Sequence, residues 1–274
     1  MKLSLSVRIA ESPRKKDETT MSLEELTATA QELKYEALCM RASQLGIHSA
    51  RDVIDAGVEN IKAAGLRVSM VTGDFAVPRN DDHGPEGLRN ITPFLDLAEA
   101  LSSDLIRICM KKEEDIPWAQ RAADEAHERS IRLAHQAHTR SLFETVDGSV
   151  RVLKAVDREN FGIIYEPANW MLAGQDYGAN AIRQIQPWLM NVYVQNGRVH
   201  PGGKASINTW TRGEVKYDHI GLWEEGGVQS EEVFQALHEV GYQGYVTVHQ
   251  AFAGIMAPTE AVRRSYEYLA PLIA

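Results

Sequence analysis

Two cysteines, Cys39 and Cys109, are all that the chain offers for thiol chemistry. That excludes a disulfide-stapled scaffold and a cysteine-rich metal site. Each lies in an apolar run, where a reduced core thiol is the ordinary expectation. Long hydrophobic runs are missing too: no stretch reaches the roughly 18 apolar residues of a membrane span. The first eleven residues do not make a secretory leader, because Arg8 and Glu11 interrupt an apolar run that is already short. The expectation is a soluble, cytoplasmic protein with no membrane partner. Positive charge is in deficit, 29 Lys and Arg against 38 Asp and Glu, for a net −9. That argues against nucleic acid as the main partner. The basic run Arg14-Lys15-Lys16 is short and reads as a solvated loop. No GxGxxG follows a strand, so a Rossmann nicotinamide site is not expected. The HPGGK stretch at 200–204 lacks the spacing of a phosphate loop and reads as a turn.

What is present is an ordinary globular balance, 44% hydrophobic and 24% charged over 274 residues, enough to bury a full core. Short β-like runs rich in Val, Ile, Leu and Tyr occur at 3–7, 37–40, 66–71, 105–110, 131–134, 161–165, 191–194 and 245–248. Amphipathic stretches alternate with them. Ser22 with Glu25 resembles a capping box, and Ser49 with Asp52 opens the next helix. Gly65 and Gly241 close helices, Pro117 sits in the first turn of another, and 259–269 supplies the last. Strand then helix, eight times, is the pattern of an α/β chain folded as one (β/α)8 barrel. No Pro/Gly/Ser linker divides it, so residues 1–274 read as a single domain. Two long connections, 73–86 and 196–229, fall on the side where such barrels build active sites, as lids or substrate walls.

The residues that end the runs are Arg8, Arg41, Thr72, Met110, Gln136, Glu166, Gln195 and His249. Alternation turns Val192 and Val194 outward and Tyr193 and Gln195 inward. The same parity places Gln136, Glu166 and His249 inward and sends His135 outward unless its strand has already ended. A carboxylate and an imidazole buried at one mouth need a shared partner. A divalent cation held by Gln136, Glu166, Gln195 and His249 is the simplest one; a hydrogen-bonded polar layer without metal is the alternative. Arg8, Arg41, Arg107 and Lys111 are placed to hold a carboxylate, phosphate or enediolate oxygen, or else to pair with Glu11, Glu36 or Asp74. His138, then His135, are the candidate acid/base groups, since imidazole titrates near neutral pH. Trp170, Trp210 and Trp223 are available to wall a sugar ring.

The segments RLAHQAH at 132–138, FGIIYEP at 161–167, GGV at 226–228 and GYQGYVTVH at 241–249 resemble the sugar phosphate isomerase/epimerase family of xylose-isomerase-like TIM barrels. That family includes ketose 3-epimerases and inosose dehydratases, and the resemblance spans nearly the whole chain. It implies a mouth presenting Glu, Asp, His and Glu to Mn, Mg, Co or Zn. This chain departs at all four positions, with Gln136, Glu166, Gln195 and His249 respectively; Tyr193 is the other match for the third. The family's pair of acid/base glutamates has no counterpart here. Asn169 stands three residues beyond Glu166, where relatives often place a substrate-touching histidine.

Three functions follow. The first is a metal-dependent isomerase or epimerase acting on a sugar or keto-sugar through an enediolate. The second is a keto-sugar or cyclitol lyase, for which one base and one acid suffice. The third is a non-catalytic sugar-binding barrel or complex subunit. The expected partner is a small carbohydrate-like substrate, and the resemblance adds a possible homo-oligomer.

Overall fold

Parallel strand pairing runs unbroken around the molecule in the computed structural model, which describes residues 1–12, 15–73, 81–252 and 255–274. The strands, in chain order, are β1 (Lys2–Ser6), β2 (Ala37–Met40), β3 (Arg67–Thr72), β4 (Leu105–Ile108), β5 (Arg132–Gln136), β6 (Phe161–Tyr165), β7 (Leu189–Val194), β8 (Gly197–Val199), β9 (Ala205–Thr209), β10 (Gly213–His219) and β11 (Tyr245–Val248). β1 to β7 and β11 close into an eight-stranded barrel, with β11 between β7 and β1. The eight expected runs are the eight barrel strands. Strands buried on both faces read as near-continuous apolar runs, which is why their sequences were legible.

Two packed layers result. Cys39, Met70, Leu105, Ala134, Ile164 and Tyr193 fill the barrel interior. Outward-facing residues such as Leu38, Leu133, Ile163, Val192, Val194 and Val246 join the larger core beneath the helices. Lower in the barrel, polar pairs are satisfied internally: Ser4 with Ser69 at 2.6 Å, and Thr247 donating to Asn191 Oδ1.

Local signals resolve in detail. Ser22 and Glu25 form a reciprocal capping box on the helix Leu23–Glu32. Gly65 and Gly241 adopt φ +69° just past their helices, where a side chain would be strained. The Ser49 expectation is corrected: Ala50 is the cap residue of the helix Arg51–Ala63, and no side chain caps it. Ser49 instead accepts a hydrogen bond from the Gly46 amide, tightening the preceding turn. Pro117 lies in the first turn of Ile116–Glu128. The last helix runs longer than expected, from Pro258 to Ile273.

The long connection after β7 carries structure of its own. β8, β9 and β10 form an antiparallel sheet in the order β8-β10-β9. Asn196 anchors its base. The Asn196 Nδ2 donates to the carbonyls of Gly221 and Glu224, and its Oδ1 accepts from the amides of Gly197 and Val228. The HPGGK stretch is a turn between β8 and β9, pinned by His200 and Asp218 at 2.5 Å. The other long connection, 73–86, lies partly outside the described residues, as do Asp74 and Arg14. No helix among the described residues is long and apolar enough to cross a membrane.

Candidate functional site at the barrel mouth

Glu166 follows β6 directly and starts the helix Pro167–Leu172, with Pro167 in the first turn. Its side chain is fully buried. Gln136, ending β5, and Gln195, following β7, each direct an amide nitrogen onto one of its carboxyl oxygens. Burial pushes the Glu166 carboxyl up to about 7, against the opposing pull of the two amides, Arg8 and Arg107. Gln136 Oε1 is buried with no hydrogen-bond partner among the described residues.

Arg8 reaches the same place from β1. A short turn, Val7–Ala10, follows that strand, and Ser6 Oγ accepts from the Arg8 amide. Val7, Ile9 and Ala10 are buried in the core, which leaves Arg8 turned toward the mouth. His138 comes from the loop after β5. Its Nδ1 lies 2.8 Å from the Thr139 carbonyl. A carbonyl only accepts, so Nδ1 carries the proton and Nε2 is left as the acceptor of the neutral ring. Burial, with Arg107, Lys111 and Arg8 nearby, lowers the His138 pKa to about 3.

Arg8, His138, Glu166, Asn169 and Gln195 line one cavity of about 100 Å³. The three-stranded insertion closes it through Gly197, Ile207, Tyr217 and His219. A hollow of about 330 Å³ elsewhere, with Val58, Ile61 and Leu101 in its wall, holds no carboxylate or imidazole and offers no chemistry.

The other expected residues divide. Asn169 lines the cavity, with its Nδ2 donating to the Ala137 carbonyl. His249 lies buried at the mouth, its ring stacked on Tyr193 at 3.7 Å and its Nδ1 3.1 Å from Ser6 Oγ. Tyr193 belongs to the barrel interior, 3.4 Å from Cys39 Sγ, so Gln195 is the residue that β7 presents. Arg41 is corrected to a structural role: its guanidinium is buried in an ion pair with Glu11 at 2.5 Å. Lys111 is corrected as well, because its amine donates to the Arg140 carbonyl beside a separate hollow. His135 does not reach the mouth. β5 continues through Gln136, so His135 faces outward, stacked on Phe143, with its ring nitrogens on the Gln136 and Met110 carbonyls. None of the three tryptophans lines the cavity. Trp170 is buried on the Phe143 carbonyl, Trp210 is exposed at the insertion's tip, and Trp223 stacks between Phe252 and Arg264.

Sequence reasoning missed Tyr217 and His219, which belong to an insertion whose placement is a tertiary matter. Lys16 is exposed, as the reading of a solvated loop expects.

A match to the family described as xylose isomerase-like TIM barrel spans residues 28–272. The chain belongs to that family. No curated protein matches it by sequence. Among solved structures, this family member is similar to the probable 3-DHS dehydratase AsbF of Bacillus anthracis, at 15% identity and TM-score 0.74, covering 98% of this chain and 99% of that one. It is similar to D-psicose 3-epimerase of Clostridium cellulolyticum H10, solved with D-tagatose, at 13% identity and TM-score 0.72, covering 100% and 99%. It is also similar to the IOLI protein with a bound zinc atom, at 13% identity and TM-score 0.74, covering 100% and 98%. At these identities the likeness is one of fold.

The donor set here does not fit a divalent cation. Glu166, His138 and His219 line the cavity and His249 is buried, yet no group of three His, Cys, Asp or Glu among the described residues is placed to hold a metal ion. Both carboxyl oxygens of Glu166 already face amides. Whichever way each amide is turned, Gln136 and Gln195 are each engaged with the Glu166 carboxyl. Arg8 and Arg107 add positive charge at Glu166, and Arg8, Arg41 and Arg107 at His249, a field that repels a dication.

Proposed function

We propose that this chain is an isomerase or epimerase that moves a proton at a carbon beside a carbonyl of a small sugar-derived substrate, using its own side chains. The observation that carries this reading is the convergence of the Glu166 carboxyl, the His138 imidazole and the Arg8 guanidinium on a single cavity. These are the parts that enolisation needs: a base at carbon, an acceptor for a hydroxyl proton and positive charge at the developing oxyanion.

In this reading Glu166 removes the proton from carbon. The electron pair of the broken C–H bond forms a C=C bond, and the carbonyl oxygen becomes an enediolate oxygen beside Arg8. His138 Nε2 accepts from the neighbouring substrate hydroxyl and carries its proton between the two oxygens. Return of that proton from Glu166 to the adjacent carbon completes an isomerisation; an epimerisation needs a second acid, on the opposite face, to protonate the original carbon. No oxidant or reductant enters. The tyrosine and histidine of the insertion, Tyr217 and His219, cover the site and keep water from quenching the intermediate.

The test is solvent deuterium incorporation followed by NMR, with a panel of short ketoses, keto acids and inososes. The expected result is exchange at the carbon beside the carbonyl, unaffected by a chelator and lost in Glu166→Gln. Exchange that depends on added metal would overturn the metal-free part. Loss of a hydroxyl in place of exchange would identify a lyase, and inert behaviour across the panel would favour the binding-only barrel.

A further inference from the structure

The hollow walled by Val58, Ile61 and Leu101 holds no group for catalysis, yet it is built to take a ligand. It lies at the base of the barrel, away from the mouth, where active sites of this fold are not found. Val58 and Ile61 stand near the end of the helix Arg51–Ala63, and Leu101 follows the helix Thr92–Ala100 directly. Leu66 and Val68, on either side of the first residue of β3, complete an apolar wall. An apolar chain that covers such a wall removes it from water, which is favourable. The volume of about 330 Å³ is about twice the roughly 150 Å³ that accepts benzene in an apolar core.

Charge at the rim says what kind of chain. Lys62 and Arg67 border the hollow and no Asp or Glu among the described residues does, although the chain as a whole is acidic at −9. Lys62 reaches Glu59 only at 3.6 Å, with both side chains well exposed, a contact worth little. Arg67 is exposed and its guanidinium has no ion pair or hydrogen bond among the described residues. A polar hollow of about 290 Å³ shares Arg67, Val68 and Ser102 with the apolar one, so the two lie side by side. Its wall adds Lys2, Arg132 and Tyr245, the first residues of β1, β5 and β11. Strand starts therefore gather cations at the barrel base. The acid in that wall, Asp104, is already paired with Arg132 at 2.9 Å.

We infer that the barrel base binds a straight-chain carboxylate of about eight carbons, its chain in the apolar hollow and its carboxylate on Arg67, where the two hollows meet. The planar guanidinium fork matches a carboxylate, and the exposed Ser102 beside it supplies a hydroxyl. Lys62 adds attraction for the anion at the rim. The inference is independent of the proton-transfer reading, because this hollow and the mouth cavity share no lining residue.

Ligand-observed NMR titration of the full chain with butanoate, hexanoate, octanoate and 1-octanol tests this. Affinity should rise about fourfold for each added methylene, and octanoate should bind more tightly than 1-octanol. Arg67→Gln, a change at an exposed position, should weaken octanoate by about tenfold and leave 1-octanol unchanged. Val58→Glu sets an acid into the half-buried wall and should abolish octanoate binding. Val58→Trp, which fills the hollow without adding charge, should do the same and serves if the glutamate variant fails to fold. Glu166→Gln should bind octanoate as the unaltered chain does. Affinity that does not grow with chain length, 1-octanol binding as tightly as octanoate, or octanoate binding unchanged in Arg67→Gln or in the Val58 variants would each overturn the inference. Self-association that is lost in Val58→Glu, with no octanoate binding, would overturn it too and give the hollow to a second copy of the chain.

Discussion

Gln136 and Glu166 end adjacent barrel strands and are joined side chain to side chain, so the buried Glu166 carboxyl is held by an amide of the neighbouring strand. Gln195 completes the clamp from the next strand. The arrangement fixes the carboxyl rigidly, since each amide comes from a strand end whose position the barrel dictates.

Removing the carboxyl while keeping its shape isolates the chemistry. Glu166→Gln should leave ligand affinity within a few-fold and reduce proton exchange by about 10²–10⁴. Stability should change little, because losing a buried ionisable group is offset by an amide N–H₂ that one of the two glutamines must turn its oxygen to accept. Deuterium incorporation and thermal melting read the two effects separately.

The ion pair of Arg41 with Glu11 carries stability and not catalysis. Arg41→Ala strands a buried carboxylate, with Ser43 Oγ as its remaining side-chain partner among the described residues, and should cost about 3–5 kcal/mol. The double change Arg41→Met with Glu11→Leu should recover most of that. Urea unfolding of the three proteins measures the difference.

Glu144 fastens the insertion over the mouth. Its buried carboxylate accepts from the amides of Arg140, Trp210 and Thr211 at 2.5, 2.9 and 2.7 Å. Glu144→Gln sets an amide N–H₂ against one of these donors and should cost about 2–3 kcal/mol locally. Faster hydrogen exchange across 205–219, with the barrel strands unchanged, is the expected signature.

His135 makes the fold acid-sensitive. Desolvation lowers its pKa from the ordinary 6.5 to about 3, so the unfolded chain takes up a proton that the folded chain resists. Its contribution is fully present above about pH 6.5 and is lost progressively as pH falls toward 3. His135→Gln loses the Phe143 stacking and should be less stable at neutral pH, but its stability should fall less steeply over that window. Unfolding free energies measured between pH 7 and pH 4 decide it; equal slopes would show that other groups set the acid response.

Side-chain parity had already separated the residues facing the mouth from those facing the helices. His135 shows how that works: period-two alternation sends it outward, and the strand does continue through Gln136. Charge partners followed no such rule. Arg8, Arg41, Arg107 and Lys111 look alike in the sequence, yet the first lines the cavity, the second is neutralised by a residue thirty positions away and the last is tied to the Arg140 carbonyl. The Ser49 cap failed for a similar local reason, since the hydroxyl had a nearer partner in Gly46.

The sequence by itself determined the eight strands, most helix ends, the barrel and the inward set Gln136, Glu166, Gln195 and His249. Those depend on apolar period and on turn chemistry, which act between residues close along the chain. Only the tertiary structure decided that the glutamines clamp Glu166, that Arg8 borders the same cavity, and that β8 to β10 bring Tyr217 and His219 to it. Hydrogen bonds and ion pairs are settled by distances of a few ångströms between residues far apart in sequence, and those distances exist only once the barrel has closed.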